Sequence, residues 1–157
     1  MGLFVRVLAL GVFFAGVMVL FQSWAANDMA ADDMAAGAKY VTLYKNPACT
    51  CCEDYADYLR KNGFSVKIVE TEDLAAVNEK YGVPEIMAAC HTAIVGGYVV
   101  EGHVAIALVN RLLAEKPHIV GITLPEMSPG TPGMGGQKTE TLAVYAIAPG
   151  APVFGTQ

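Results

Sequence analysis

Three of the four cysteines, Cys49, Cys51 and Cys52, fall within four residues of the segment "YKNPACTCCEDYADYLRKNGF", and the fourth, Cys90, adjoins His91 in "AACHTAIV". Cys49 and Cys52 have the C-x-x-C spacing of thiol redox motifs. The residues after them read as a helix, whose dipole and free N–H groups favour a thiolate at its start. Cys51 stands outside that pair. Purely structural bridges fit the cluster poorly. A Cys51–Cys52 bond would distort the peptide between them, and Cys49–Cys51 is nearly as cramped. Only Cys49 with Cys52, or one of the three with Cys90, meets ordinary disulfide geometry. Ligation explains the crowding better. Thiolates are soft donors that select Cu(I), Zn(II) or iron–sulfur clusters, and a sulfur can bridge two ions, so the spacing points to a polynuclear site. A structural zinc site usually takes a second knuckle or a histidine pair; the second knuckle is missing, which leaves zinc as the weaker alternative.

His91 is a candidate ligand because Cys90 adjoins it. His103 in "EGHVA" and His118 in "KPHIV" stand alone, and a lone histidine is usually a surface or satisfied core residue, so neither is expected at the site. Met127 and Met134 in "PEMSPGTPGM" offer thioethers, which suit Cu(I); the same segment also reads simply as a loop. Met29 and Met34 in "NDMAADDMAAG" are weaker candidates of the same kind.

The elements that must hold these residues follow from periodicity. "KYVTLY" is a short strand. "CCEDYADYLRKNG" is a helix with Tyr55, Tyr58 and Leu59 on one stripe, acidic residues in its first turn and Gly63 as a stop. "FSVKIVE" is a second strand, parallel to the first across the helix. "DLAAVNEKYGVP" is a short helix, "HTAIVGGYVVEG" a hairpin turning at Gly96-Gly97, and "AIALVNRLLAEKP" a third helix. A Pro/Gly/Met-rich loop, "LPEMSPGTPGMGGQ", leads to "TLAVYAIA" as a C-terminal edge strand. The order βαβαββα, with cysteines at the first strand-to-helix turn, is that of thioredoxin-like α/β domains. In that fold the segment before the hairpin faces the C-x-x-C turn, and His91 takes the place that thioredoxins give to a cis-proline.

The first 25 residues read as a signal peptide: an early Arg6, an apolar run from Val7 to Phe21, then small residues at Ser23 and Ala25. If uncleaved, the same run is nearly long enough for a membrane anchor. Residues 26–38 are a flexible acidic spacer and residues 39–157 the folded metal-binding domain. The rest of the chain is therefore expected to be exported. A formal net charge of −5 without any basic run argues against a nucleic-acid partner.

"YKNPACTCC", "GVPEIMAACHTAIVGGYVVEGH" and "PEMSPGTPGM" together resemble the CopG-like family of bacterial periplasmic copper-resistance proteins, from about Tyr40 to Met134. The resemblance implies a thioredoxin-like fold whose cysteines hold several Cu(I) ions, and a role in periplasmic copper handling that can include copper's oxidation state. Cys49, Cys51, Cys52 and Cys90 match the family's cysteines and His91 the adjoining histidine. The chain departs from the pattern at Ala105, where the family has a proline. "YKNPAC" also resembles the turn of glutaredoxin-like arsenate reductases, but an oxyanion site needs arginines, and only Arg60 and Arg111 follow the leader.

The expected function is thus a periplasmic copper-binding protein with Cys49, Cys51, Cys52, Cys90 and His91 as ligands and Met127 and Met134 as outer contacts. Its partners would be copper ions and other periplasmic copper-handling proteins. The alternative is an exported thiol-disulfide oxidoreductase with Cys49 as nucleophile and Cys52 as resolving thiol, which leaves Cys51 and Cys90 without a task.

Overall fold

The computed structural model describes residues 39–157. The expected signal peptide, the spacer, and Met29 and Met34 lie outside the described residues. β1 (Tyr40–Lys45) runs through the middle of the core, with Val41 and Leu43 buried. It pairs in parallel with β2 (Ser65–Glu70), from Tyr40 opposite Ser65 to Lys45 opposite Glu70. The crossover between them is α1 (Thr50–Lys61), which buries Cys52, Tyr55, Ala56 and Leu59. That spacing puts one face of the helix on the sheet, as the stripe predicts. α2 (Leu74–Lys80) is capped by Asp73, whose side chain accepts the Ala76 N–H.

A single 3-10 turn, Glu85–Met87, then delivers the chain to β3 (His91–Val95). β3 lies antiparallel to β1, with His91 opposite Lys45, and to β4 (Tyr98–Glu101). The hairpin turns at Gly96 and Gly97, both at positive φ, as the dipeptide requires. α3 (Ile106–Glu115) leads to β5 (Gly121–Thr123), parallel to β4. β6 (Ala143–Ile147) and β7 (Val153–Thr156) complete a seven-stranded sheet in the order β2-β1-β3-β4-β5-β6-β7.

The fold is therefore mixed α/β, with one sheet and three α-helices among the described residues. One expectation is corrected. The "TLAVYAIA" strand is not an edge: β6 lies between β5 and β7, and β7 is the outer strand. The chain reverses through Gly150 and Ala151, both at positive φ, and resumes pairing at once. The flanking prolines of "APGAPVFGT" disguise the return as a tail. β5, three residues long, is likewise too short to show a period. Between β5 and β6 the Pro/Gly/Met segment forms no helix or strand. Among the described residues no helix is long and apolar enough to cross a membrane.

Candidate metal centre

At the end of β1 the chain makes a tight turn before α1. Asn46 holds it, its carbonyl accepting the Cys49 N–H and its side chain the Ala48 N–H, both at 2.9 Å. Cys49 is the N-cap of α1, in an extended conformation with no side-chain cap, so Cys51 and Cys52 occupy the first turn. The free N–H groups there favour anions. Lys45 braces the same turn. Its buried ammonium donates to the Asn46 and Pro47 carbonyls at 3.3 and 3.2 Å and pairs with Glu53 and Glu70. The Glu53 hydrogen bond first, then the charges of Glu53 and Glu70, hold its pKa up against its burial.

In this structure Cys49 and Cys52 form a disulfide, with Cα atoms 5.5 Å apart, while Cys51 and Cys90 are free thiols. The Cys51 sulfur lies 3.5 Å from that of Cys49, and the Cys52 sulfur 3.4 Å from the Cys90 carbonyl oxygen. The four cysteine sulfurs all lie within 4.8 Å of one another. Cys52 is buried and the other three are half-buried.

A second group shares Cys90: one ligand atom each from Cys90, His91 and His103 also fall within 4.8 Å of one another. The Cys90 sulfur is 3.4 Å from His91 Nδ1 and 3.4 Å from His103 Nε2. His103 Nδ1 sits 2.6 Å from the Pro132 carbonyl oxygen. A carbonyl only accepts, so Nδ1 carries the proton and Nε2 turns its lone pair toward Cys90, the second-sphere arrangement that orients ligating histidines. Both imidazoles rest on Tyr55, at ring-centroid distances of 4.7 Å for His91 and 5.2 Å for His103. The buried Tyr55 hydroxyl donates to the Val104 carbonyl at 2.9 Å.

Burial sets the electrostatics. It pushes His91 down to about 3, helped by His103 beside it, and lowers His103 as well, so both rings are neutral at physiological pH, the form that binds metals. Burial, then the nearby Cys51, pushes the Cys90 thiol up to about 12. A cation would reverse that logic by displacing the thiol proton. His91 Nε2 is buried and finds no hydrogen-bond partner. Such an orphan is rare in interiors. Soft sulfur and neutral nitrogen donors around an unpartnered buried nitrogen fit a soft metal ion.

The structure brings together Cys49, Cys51, Cys52, Cys90 and His91. It adds His103, which sequence reasoning set aside as a lone histidine, and leaves His118 exposed. The missing signal was in the hairpin. A turn at Gly96-Gly97 pairs residues equally distant from it, as in Thr92 opposite Glu101, so continuing the register sets Cys90 against His103. Met127 is 55% exposed and Met134 half-buried. Their loop nevertheless reaches the centre. Gly133, at φ +76, packs so closely on α1 that a Cβ there would lie 2.6 Å from the Tyr55 nitrogen.

The family model described as "Protein of unknown function, DUF411" matches residues 87–134, from the 3-10 turn through Cys90, His91 and His103 to Met134. No match was found among curated proteins. Two solved structures are similar: form 1 of copper resistance protein CopG, at 32% identity over 77% of this chain and 98% of that one, with a TM-score of 0.71, and form 2, at 33% identity over 75% and 97%, with a TM-score of 0.69. Identity at this level across nearly the whole of those chains, with the same architecture, means that the chain belongs to the CopG family of copper resistance proteins.

Proposed function

We propose that the protein is an exported, periplasmic copper-handling protein of thioredoxin-like build, which holds more than one Cu(I) ion as cargo in a cysteine-bridged cluster. The observation that carries this reading is the sharing of Cys90 between a four-sulfur group and a Cys-His-His group, each within 4.8 Å. Four thiolates exceed what a single two- or three-coordinate Cu(I) uses, so bridging follows. Cys49, Cys51, Cys52, Cys90 and His91 are the proposed ligands, joined by His103, and Met127 and Met134 the proposed outer thioether contacts. The Cys49–Cys52 pair must be reduced before all four sulfurs can bind. Oxidation of those two thiolates to the disulfide would release two electrons and reduce two Cu(II) ions to Cu(I), at the loss of two thiolate ligands. Export rests on the leader-like residues 1–25, and the proposed partners are other periplasmic copper-handling proteins.

The test is metal analysis of protein purified from the periplasm, followed by anaerobic Cu(I) titration of the reduced chain. More than one copper per chain is expected; stoichiometric zinc without copper would sink the reading. The Cys49–Cys52 disulfide at a helix N-terminus favours a second reading, a thiol-disulfide oxidoreductase. Cys51→Ser separates the two. It should damage copper uptake more than insulin reduction, whereas a plain oxidoreductase would tolerate it in both assays.

A further inference from the structure

The main chain from His103 to Ala105 carries the centre out of the hairpin and into α3. Residues from two distant elements meet its polar groups. In the middle, the Val104 carbonyl accepts from Tyr55. On either side stands a single carboxamide: Gln157 Nε2 donates to the His103 carbonyl at 3.0 Å, and Gln157 Oε1 accepts the Ala105 N–H at 2.6 Å. Val104 between them is fully buried. Ala105 is the extended N-cap of α3 and has no side chain with which to cap it. Gln157 is itself fixed by reciprocal main-chain hydrogen bonds with Leu142, both 2.9 Å, which extend the β6–β7 ladder.

A neutral amide is the side chain that can donate on one side and accept on the other here. Glutamate, nearly the same shape, can accept from Ala105 but has nothing to give the His103 carbonyl. The carboxamide is therefore matched to both ends of the segment. We propose that Gln157 is a positioning residue for the metal centre, bracketing Val104 so that His103 keeps Nε2 aimed at Cys90. This rests on the reading of His103 as a copper ligand.

The test uses the full reduced chain with Co(II) alone as a spectroscopic probe. Gln157→Ala and Gln157→Glu should shift the ligand-field bands and weaken Co(II) binding about tenfold or more, the usual scale for second-sphere partners. Phe154→Ala is the control. It loosens the same strand, by removing a ring that packs on the core and under Arg111, without touching Gln157. It should lower the melting temperature and leave the cobalt spectrum unchanged. Nitrogen-15 spectra of the metal-free chain should show the His103 ring signals moving in the Gln157 variants and not in Phe154→Ala. Parent-like cobalt spectra in both Gln157 variants would overturn the proposal, as would an equal change in Phe154→Ala. Identical cobalt spectra for the parent and His103→Ala would remove His103 from the ligand set and overturn the proposal with it, whereas parent-like Gln157 variants beside an altered His103→Ala would overturn the role of Gln157 alone, so the two failures are distinguishable.

Discussion

Cys90 is the residue on which both ligand groups depend, and it begins as a thiol that holds its proton, with a pKa of about 12 raised first by burial. A metal must pull that proton off, so uptake should release protons and slow as pH falls. Cys90→Ser should therefore lower the copper retained by reduced protein on gel filtration more than Cys51→Ser does; parent-like copper in Cys90→Ser would refute the shared-ligand arrangement. Glu101, two residues from His103, is fully buried, accepts the Ala89 N–H at 2.9 Å and leaves its other oxygen unpartnered. Burial lifts its pKa from 4.5 to about 7. A raised carboxyl contributes stability that is present below the unfolded value of 4.5 and lost as pH rises through about 7. Glu101→Gln keeps an acceptor for Ala89 and removes that loss, so in metal-free protein it should raise the melting temperature more at pH 8 than at pH 4.5. His91 works at the other end. Its depressed pKa gives stability that is present above 6.5 and lost as pH falls toward 3, and thermal scans of His91→Gln should show a flatter acid limb.

At the scale of elements, the turn between β1 and α1 is held by an ammonium and the β4–α3 connection by a phenol. Lys45→Met takes the ammonium donor from the Pro47 carbonyl and leaves the Asn46 carbonyl with the Cys49 N–H alone. Faster hydrogen exchange of the Cys49 amide and a lower melting temperature are expected, and unchanged exchange would show that Asn46 alone suffices. Tyr55→Phe keeps the ring under the two imidazoles but strands the Val104 carbonyl, which should cost about 1–3 kcal/mol in denaturant unfolding. The elements near these anchors were legible from sequence because each has a strong period or a diagnostic turn: the stripe of Tyr55 and Leu59 in α1, the Gly96-Gly97 hairpin, the alternation in β2. β5 and β7 were not, being three and four residues long. Cys49, Cys51 and Cys52 were legible as a cluster because they are neighbours in the chain. His103 was not, because its proximity to Cys90 comes from strand register and its tautomer is set by the Pro132 carbonyl, a contact across 29 residues that no local pattern announces.

For the molecule as a whole, the sheet ends in β2 on one side and β7 on the other, and the centre is assembled from the first turn of α1, the mouth of the β3–β4 hairpin and the long loop after β5. That loop touches the centre through Pro132, whose neighbour Gly133 is pressed against the backbone of α1. A methyl group at residue 133 has no room there and is further disfavoured by the positive φ. Gly133→Ala should lift the loop from the helix and take the Pro132 carbonyl away from His103, although the substitution contacts no ligand. Once released, the ring can carry its proton on either nitrogen. A fraction of molecules would then present an N–H to Cys90 where the parent presents a lone pair. Nitrogen-15 spectra of the metal-free variant should show the His103 signals averaged between tautomers. The absence of a side chain at residue 133 thus decides, from the surface of a neighbouring helix, which nitrogen of His103 is free to bind.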